Sequence, residues 1–321
     1  MKKLLSGIAL LLCLALLCAC AAPTEQTPLS RAADGIHALL GVKKGLLSDT
    51  DTVRAGSSVF DWTAMALRRA NADEDYAAYL AALEHYVTDC YAQNGSLSDY
   101  KATEYHRIAL TVLTLGGDPT AFGTKPDGTA VDLIADGTYD FSGDLYAQGL
   151  NSPIYALLVL DAGGYTVPRG AHYSRETILA EILGRQEADG GFGLVSGTPD
   201  VDITAMALQA LAPYSDEAAE AIDAALTWLA AQMSEECTFT AYGAVSSESI
   251  SQVLTALTAL AALGIDPQSD GRFTRGETTL LTALERFRQD DGSFAHALDD
   301  GEGNLLATAQ AMLALAALSP A

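Results

Sequence analysis

Along the chain, short polar segments alternate with runs in which alanine, leucine and other apolar residues recur every three or four positions, the spacing of a helix with one buried face. In the run 216–232, Ala218, Ala221, Ile222, Ala225, Leu226 and Leu229 share one such face. Period-two alternation, the mark of a half-buried strand, is nearly absent, so the chain reads as all-α. The runs also repeat. Asp61-Trp62-Thr63-Ala64-Met65-Ala66-Leu67 and Asp202-Ile203-Thr204-Ala205-Met206-Ala207-Leu208 differ only at their second position. Weaker copies begin at Glu104, Asn151 and Glu248, and a sixth, Asn304 to Leu315, has Leu306 where the others carry an acid or amide. Each interval leaves room for a second helix, predicted at 73–91, 131–136, 174–185, 215–232 and 275–288, with Ser174 and Ser215 as N-caps. Stacked helical hairpins of this kind build either an open solenoid or a closed ring.

The first residues follow another pattern. Met1, Lys2 and Lys3 precede an apolar run from Leu4 to Leu17 that is too short to span a bilayer as a helix, which is the layout of a signal peptide over 1–19. Leu17-Cys18-Ala19-Cys20 resembles the lipobox of bacterial lipoproteins, with Cys18 where Ala or Ser is usual, and implies lipidation at Cys20. Residues 20–34 then read as a tether, and the expected location is the extracytoplasmic face of the cell membrane, lipid-anchored.

Composition adds one exclusion. With 18 Lys+Arg against 41 Asp+Glu, the formal charge is −23, and no cluster of cations is available to displace counterions from a phosphate backbone, so nucleic acid is not an expected partner. Beyond the leader and Cys20 only Cys90 and Cys237 remain, neither in a CxxC or Cys/His grouping, so no zinc site or thiol nucleophile is expected.

Three turns carry a more specific signal: Gln93-Asn94-Gly95-Ser96-Leu97, Gln186-Glu187-Ala188-Asp189-Gly190-Gly191-Phe192 and Gln289-Asp290-Asp291-Gly292-Ser293-Phe294. They resemble the QW-type repeats of the squalene cyclase and protein prenyltransferase β-subunit superfamily, with Phe or Leu in place of Trp. Asp200-Val201-Asp202-Ile203-Thr204-Ala205-Met206 resembles the DxDD-T-A segment of class II terpene cyclases. The resemblance implies an α/α toroid over residues 35–319, six inner helices ringed by six outer ones, an (α/α)6 barrel. It also implies Asp202 as proton donor to an alkene or epoxide and Asp200 as the first Asp of the motif. Ile203 stands at the motif's fourth position, which leaves the donor's carboxylate partner missing. Aromatic residues make up only 7% and there are two Trp, a poor supply of π faces for a polyene cation. The zinc ligands of prenyltransferases are not found.

In a toroid the inner helices start around one mouth, and Asp61, Glu104, Asn151, Asp202 and Glu248 would face each other there as ligand-binding groups. The alternative for each is a helix N-cap or first-turn acid. The leading expectation is a lipid-anchored module that binds a small ligand or envelope component at an acidic mouth, with no cofactor and no metal. The alternatives are a class II cyclase-like enzyme using Asp202, supported by Asp200 and Glu248, and a structural or protein-interaction scaffold. Asp299-Asp300-Gly301-Glu302-Gly303-Asn304 reads as a solvated acidic loop rather than a Ca²⁺ site, because the EF-hand glycine and distal Glu are out of place. His85, His106, His172 and His296 are scattered and read as surface or packing residues.

Overall fold

Small residues at helical spacing allow helices to approach closely, and that is how the chain packs. The computed structural model describes residues 26–42, 45–49, 51–241 and 243–319. The leader and Cys20 lie outside the described residues. The helices are α1 (Pro28–Leu39), α2 (Ser58–Arg69), α3 (Tyr76–Asn94), α4 (Ala102–Leu115), α5 (Asn151–Ala162), α6 (Arg175–Gly184), α7 (Val201–Leu211), α8 (Ala219–Gln232), α9 (Ser247–Ala259), α10 (Leu280–Glu285) and α11 (Leu305–Leu318). Two antiparallel hairpins of two-residue strands interrupt them, β1–β2 (Thr240–Ala241 with Ala244–Val245) and β3–β4 (Thr274–Arg275 with Thr278–Thr279). Among the described residues the protein is therefore mostly α, and these two hairpins depart from an all-α pattern.

All six repeated runs are helical: the expected acid or amide lies within the first four residues of α2, α4, α5, α7 and α9, and Asn304 caps α11. The intervening helices differ more. The segment predicted at 131–136 ends in a single π turn, Ala135–Tyr139. The helix predicted at 275–288 is reduced to α10, because residues 274–279 pair as β3–β4 instead. Ser174 caps α6 in a reciprocal capping box with Thr177, whereas Ser215 is not the N-cap of α8, a position taken by Ala218. A 3-10 turn at Ala212–Tyr214 prolongs α7, and the Ala218 N–H bonds to Tyr214 O at 2.9 Å, so α8 starts only at Ala219. The expected tether also shortens: α1 starts at Pro28, capped by Thr27, and buries Ala32, Ala33 and Ile36, so residues 28–34 belong to the fold.

The six repeated helices pack in succession, α2 on α4, α4 on α5, α5 on α7, α7 on α9 and α9 on α11, and α11 packs back on α2. Their starts lie at one end. Asp61 bonds Arg107, Thr103 bonds Gln148, Gly149 abuts Leu194, and Ser247 bonds Ala295, each pair joining neighbouring starts or the loops ahead of them. Each repeated helix buries an alanine completely: Ala64, Ala109, Ala156, Ala205, Ala256 and Ala309.

Helix α1 packs against α11 and so covers the last repeat. Gly35 makes this fit: a β-carbon there would overlap the Gly292–Ser293 backbone, in the Gln-to-Gly turn that precedes α11. Gly35→Ala should therefore cost about 1–3 kcal/mol by overpacking, together with faster proteolysis between α1 and α2. A variant with wild-type urea midpoint and cleavage rate would mean that the two segments part without loss.

Candidate functional site

The five polar positions near the helix starts have different surroundings. Asp61 is fully buried, and its carboxylate is consumed by protein donors: Arg107 Nε at 2.9 Å, the Tyr79 hydroxyl at 2.6 Å and the Gly56 N–H at 3.0 Å. Burial pushes its carboxyl upward, and the Arg107 guanidinium with these hydrogen bonds opposes that push. Arg107 also binds Glu104 Oε2 at 2.8 Å and donates to Gly56 O at 2.8 Å. Two of the five predicted ligand groups are thus the arms of one guanidinium clamp between α2 and α4. Asn151 is the half-buried first residue of α5.

Asp202 and Glu248 behave differently, although Asp61 and Asp202 stand in nearly identical sequence. The next repeat decides the outcome. Three residues after Glu104 comes Arg107, which reaches Asp61, and three residues after Glu248 comes Ser251, which carries no charge. Asp202 is left beside Glu248 and the Ser249 hydroxyl. Burial, with the Glu248 charge adding to it, raises the Asp202 carboxyl above its ordinary value, and the bond from Ser249 opposes the rise. Its Oδ1 is buried without a hydrogen-bond partner. Asp200 caps α7 through a bond from the Ile203 N–H at 2.9 Å. Its carboxyl too is raised by burial, then by the Asp202 charge, against the pull of backbone N–H groups.

Glu248 faces His296, whose Nδ1 lies 2.9 Å from Oε2. The hydrogen bond to Glu248 holds the imidazole above its ordinary pKa. Sequence reading missed this pair, because the partners are far apart and nothing in either segment marks the other. His106 is buried, and His172 lies edge-on to the Tyr173 ring at 4.3 Å between centroids. In the acidic loop, Asp300 accepts the Ala297 N–H at 2.8 Å and Asn304 caps α11, so these oxygens are turned toward backbone. Cys90 and Cys237 are both free.

Side chains on the repeated helices also bond to one another. On the repeated helices the half-exposed positions recur at three- to four-residue spacing, as in Asn151, Tyr155 and Leu158 on α5 or Glu248, Gln252 and Thr255 on α9. Gln209 Nε2 donates to Gln252 Oε1 at 3.0 Å and Gln252 Nε2 to Gln310 Oε1 at 3.3 Å, tying α7, α9 and α11 together. Trp62 and Tyr155 meet at 6.2 Å between ring centroids, joining α2 to α5. Burial pushes the Tyr155 hydroxyl up to about 12.

A groove of about 390 Å³ opens beside the start of α7, lined by Leu194, Val195, Thr198, Pro199, Asp200, Val201, Trp228, Gln232, Thr240 and Ala241. Its size is that of a small-molecule site. The Trp228 Nε1–H is committed to Asp189 at 3.0 Å. None of the lining residues is Lys or Arg, and the lining carboxylate Asp200 is electrostatically coupled to Asp202. A second hollow of about 550 Å³ lies at the other end of the repeated helices, among residues 164–176. The chain matches no protein-family model and no curated protein.

Proposed function

We propose that the protein is a lipid-anchored, extracytoplasmic binding module, built as an α/α toroid in which α2, α4, α5, α7, α9 and α11 form the inner ring. In this reading α1, α3, the 135–139 turn, α6, α8 and α10 form the outer ring, and the ligand sits in the groove beside α7 rather than in the centre. The observation that carries the reading is the contrast between the two places. In such a ring the Gln209–Gln252–Gln310 bonds and the Trp62–Tyr155 contact would lie toward the centre, while the groove beside Asp200 is open. Its apolar residues suit a hydrocarbon portion, and its charge favours a neutral or cationic polar group over an anion.

Hexylammonium, hexanol and hexanoate share a chain and differ in charge. Titrated against the full chain with tryptophan fluorescence as readout, the first two should bind more tightly than hexanoate. Val195 is 64% exposed at the groove, so Val195→Lys should weaken hexylammonium at least tenfold without loss of fold. No saturable binding by any of the three, or binding indifferent to Val195→Lys, would remove the groove as the site.

One observation favours a second reading, a class II cyclase-like enzyme. The Asp202 carboxyl is raised by burial and keeps an unpartnered Oδ1, as a general acid requires. Against it stands the occupied centre, which offers a polyene no obvious chamber. Cyclized product from squalene or shorter isoprenoids, lost in Asp202→Asn, would replace the binding module with the enzyme.

A further inference from the structure

We infer that the end of the molecule carrying the starts of the repeated helices, with the groove and the Glu248–His296 pair, points away from the membrane, and that the opposite end faces the lipid. The inference rests on the reading of Cys20 as the lipidated residue. Its geometric part comes from α1. Gly303 lies just ahead of α11, and a β-carbon on it would stand 3.1 Å from Leu39 Cδ2, at the last residue of α1. Gly35, one turn earlier in α1, abuts the Gly292–Ser293 backbone. Helix α1 therefore runs antiparallel to α11, and Pro28 lies toward the end where α11 finishes at Leu318.

Tether length turns this direction into an orientation. Cys20 to Thr27 is eight residues, which span at most about 28 Å when fully extended. A body of roughly 290 residues has a radius of gyration of about 19 Å, so it is wider than the tether is long. The 14 residues of α11 put the two ends about 21 Å apart. To turn the groove toward the lipid, the tether would have to run back along that height at nearly full extension, with little length left to reach the bilayer. With the other end down, those eight residues need not cross that height. The connections at 116–132, 163–174, 212–218 and 260–273 then face the membrane, and the loops at 189–200 and 295–304 face outward. A ligand therefore reaches the groove from the aqueous side rather than from the lipid phase.

Two single labels test the orientation. Arg169 is exposed in the 163–174 connection and Val195 is exposed in the 189–200 loop. In a Cys90→Ser background, with Cys237 buried, Arg169→Cys and Val195→Cys each present one reactive thiol. The full-length chain, purified with its lipid, is labelled with a fluorophore and reconstituted into phosphatidylcholine vesicles carrying a nitroxide on the headgroup. Quenching should be at least twofold stronger at 169 than at 195. Equal quenching, or stronger quenching at 195, would overturn the orientation. Protein that does not float with the vesicles, or that floats equally well as Cys20→Ala, would overturn the anchor itself, so the two failures are told apart.

Discussion

Arg107→Ala should lower the stability of the chain by about 3–5 kcal/mol, the cost of leaving a buried charge without its partner. Asp61 has no exposed side-chain surface and Arg107 retains 9%. Removing the guanidinium leaves the Asp61 carboxylate with the Tyr79 hydroxyl and the Gly56 N–H, and strips Gly56 O of its donor. Glu104, the other arm of the clamp, is 30% exposed, so water screens it and Glu104→Ala should cost less than about 1 kcal/mol. Urea unfolding of the two variants against wild type measures the difference. An Arg107→Ala chain within 1 kcal/mol of wild type, or a Glu104→Ala chain as damaged as Arg107→Ala, would mean that α2 and α4 do not depend on this ion pair.

The same clamp shows where the sequence was readable and where it was not. The positions of all six repeated helices could be read to within a few residues, because an acid or amide near each start precedes a run of small apolar residues. Side-chain destinations were not, because they depend on the neighbouring repeat. Asp61 and Asp202 have almost the same flanking sequence, yet one is neutralised by Arg107 and the other is left with Glu248 and Ser249. The spacing Glu104-x-x-Arg107 was the available signal, a cation one turn into the helix that would lie beside Asp61 once the repeats were stacked. His296 offered no such signal, since its approach to Glu248 arises from a loop bridging back to the start of α9 through Ser247 N and His296 O at 3.0 Å.

The intervening segments were harder to read for a related reason. In two of them local turns and pairing compete with helix. Thr274 to Thr279 forms a hairpin where helical periodicity had extended the predicted segment, and Pro213 carries α7 into a 3-10 turn that displaces the start of α8. The groove was invisible for a further reason: Val195, Trp228 and Thr240 come from three separate segments, and only packing brings them together. The Gln209, Gln252 and Gln310 bonds likewise link three different repeats, and no pattern within one repeat announces them.

Acidification should expose a weakness at His106. This side chain is fully buried where α4 meets the π turn, and its Nε2 lies 2.7 Å from Gly137 O. Since a carbonyl can only accept, Nε2 carries the hydrogen and Nδ1 is the bare nitrogen, buried without a partner. A second proton would place a charge and an unpaired donor in the apolar interior. Burial accordingly lowers the imidazole pKa to about 4, and the bond to Gly137 opposes the shift. The sign follows from linkage: the folded state binds this proton less tightly than the unfolded chain, so the contribution is complete above pH 6.5 and is lost as pH falls from there toward 4. Between pH 7 and pH 4.5 the loss is about 2–3 kcal/mol from this one group. His106→Gln keeps an N–H donor for Gly137 and removes the titration. Wild type should therefore lose about 2–3 kcal/mol more than the variant over that pH range in urea unfolding, even if His106→Gln is the less stable of the two at pH 7. Equal losses in the two chains would show that His106 does not report on acid stability, and a carbon-bound imidazole proton resonance that titrates near pH 6.5 would show that the ring is not dry.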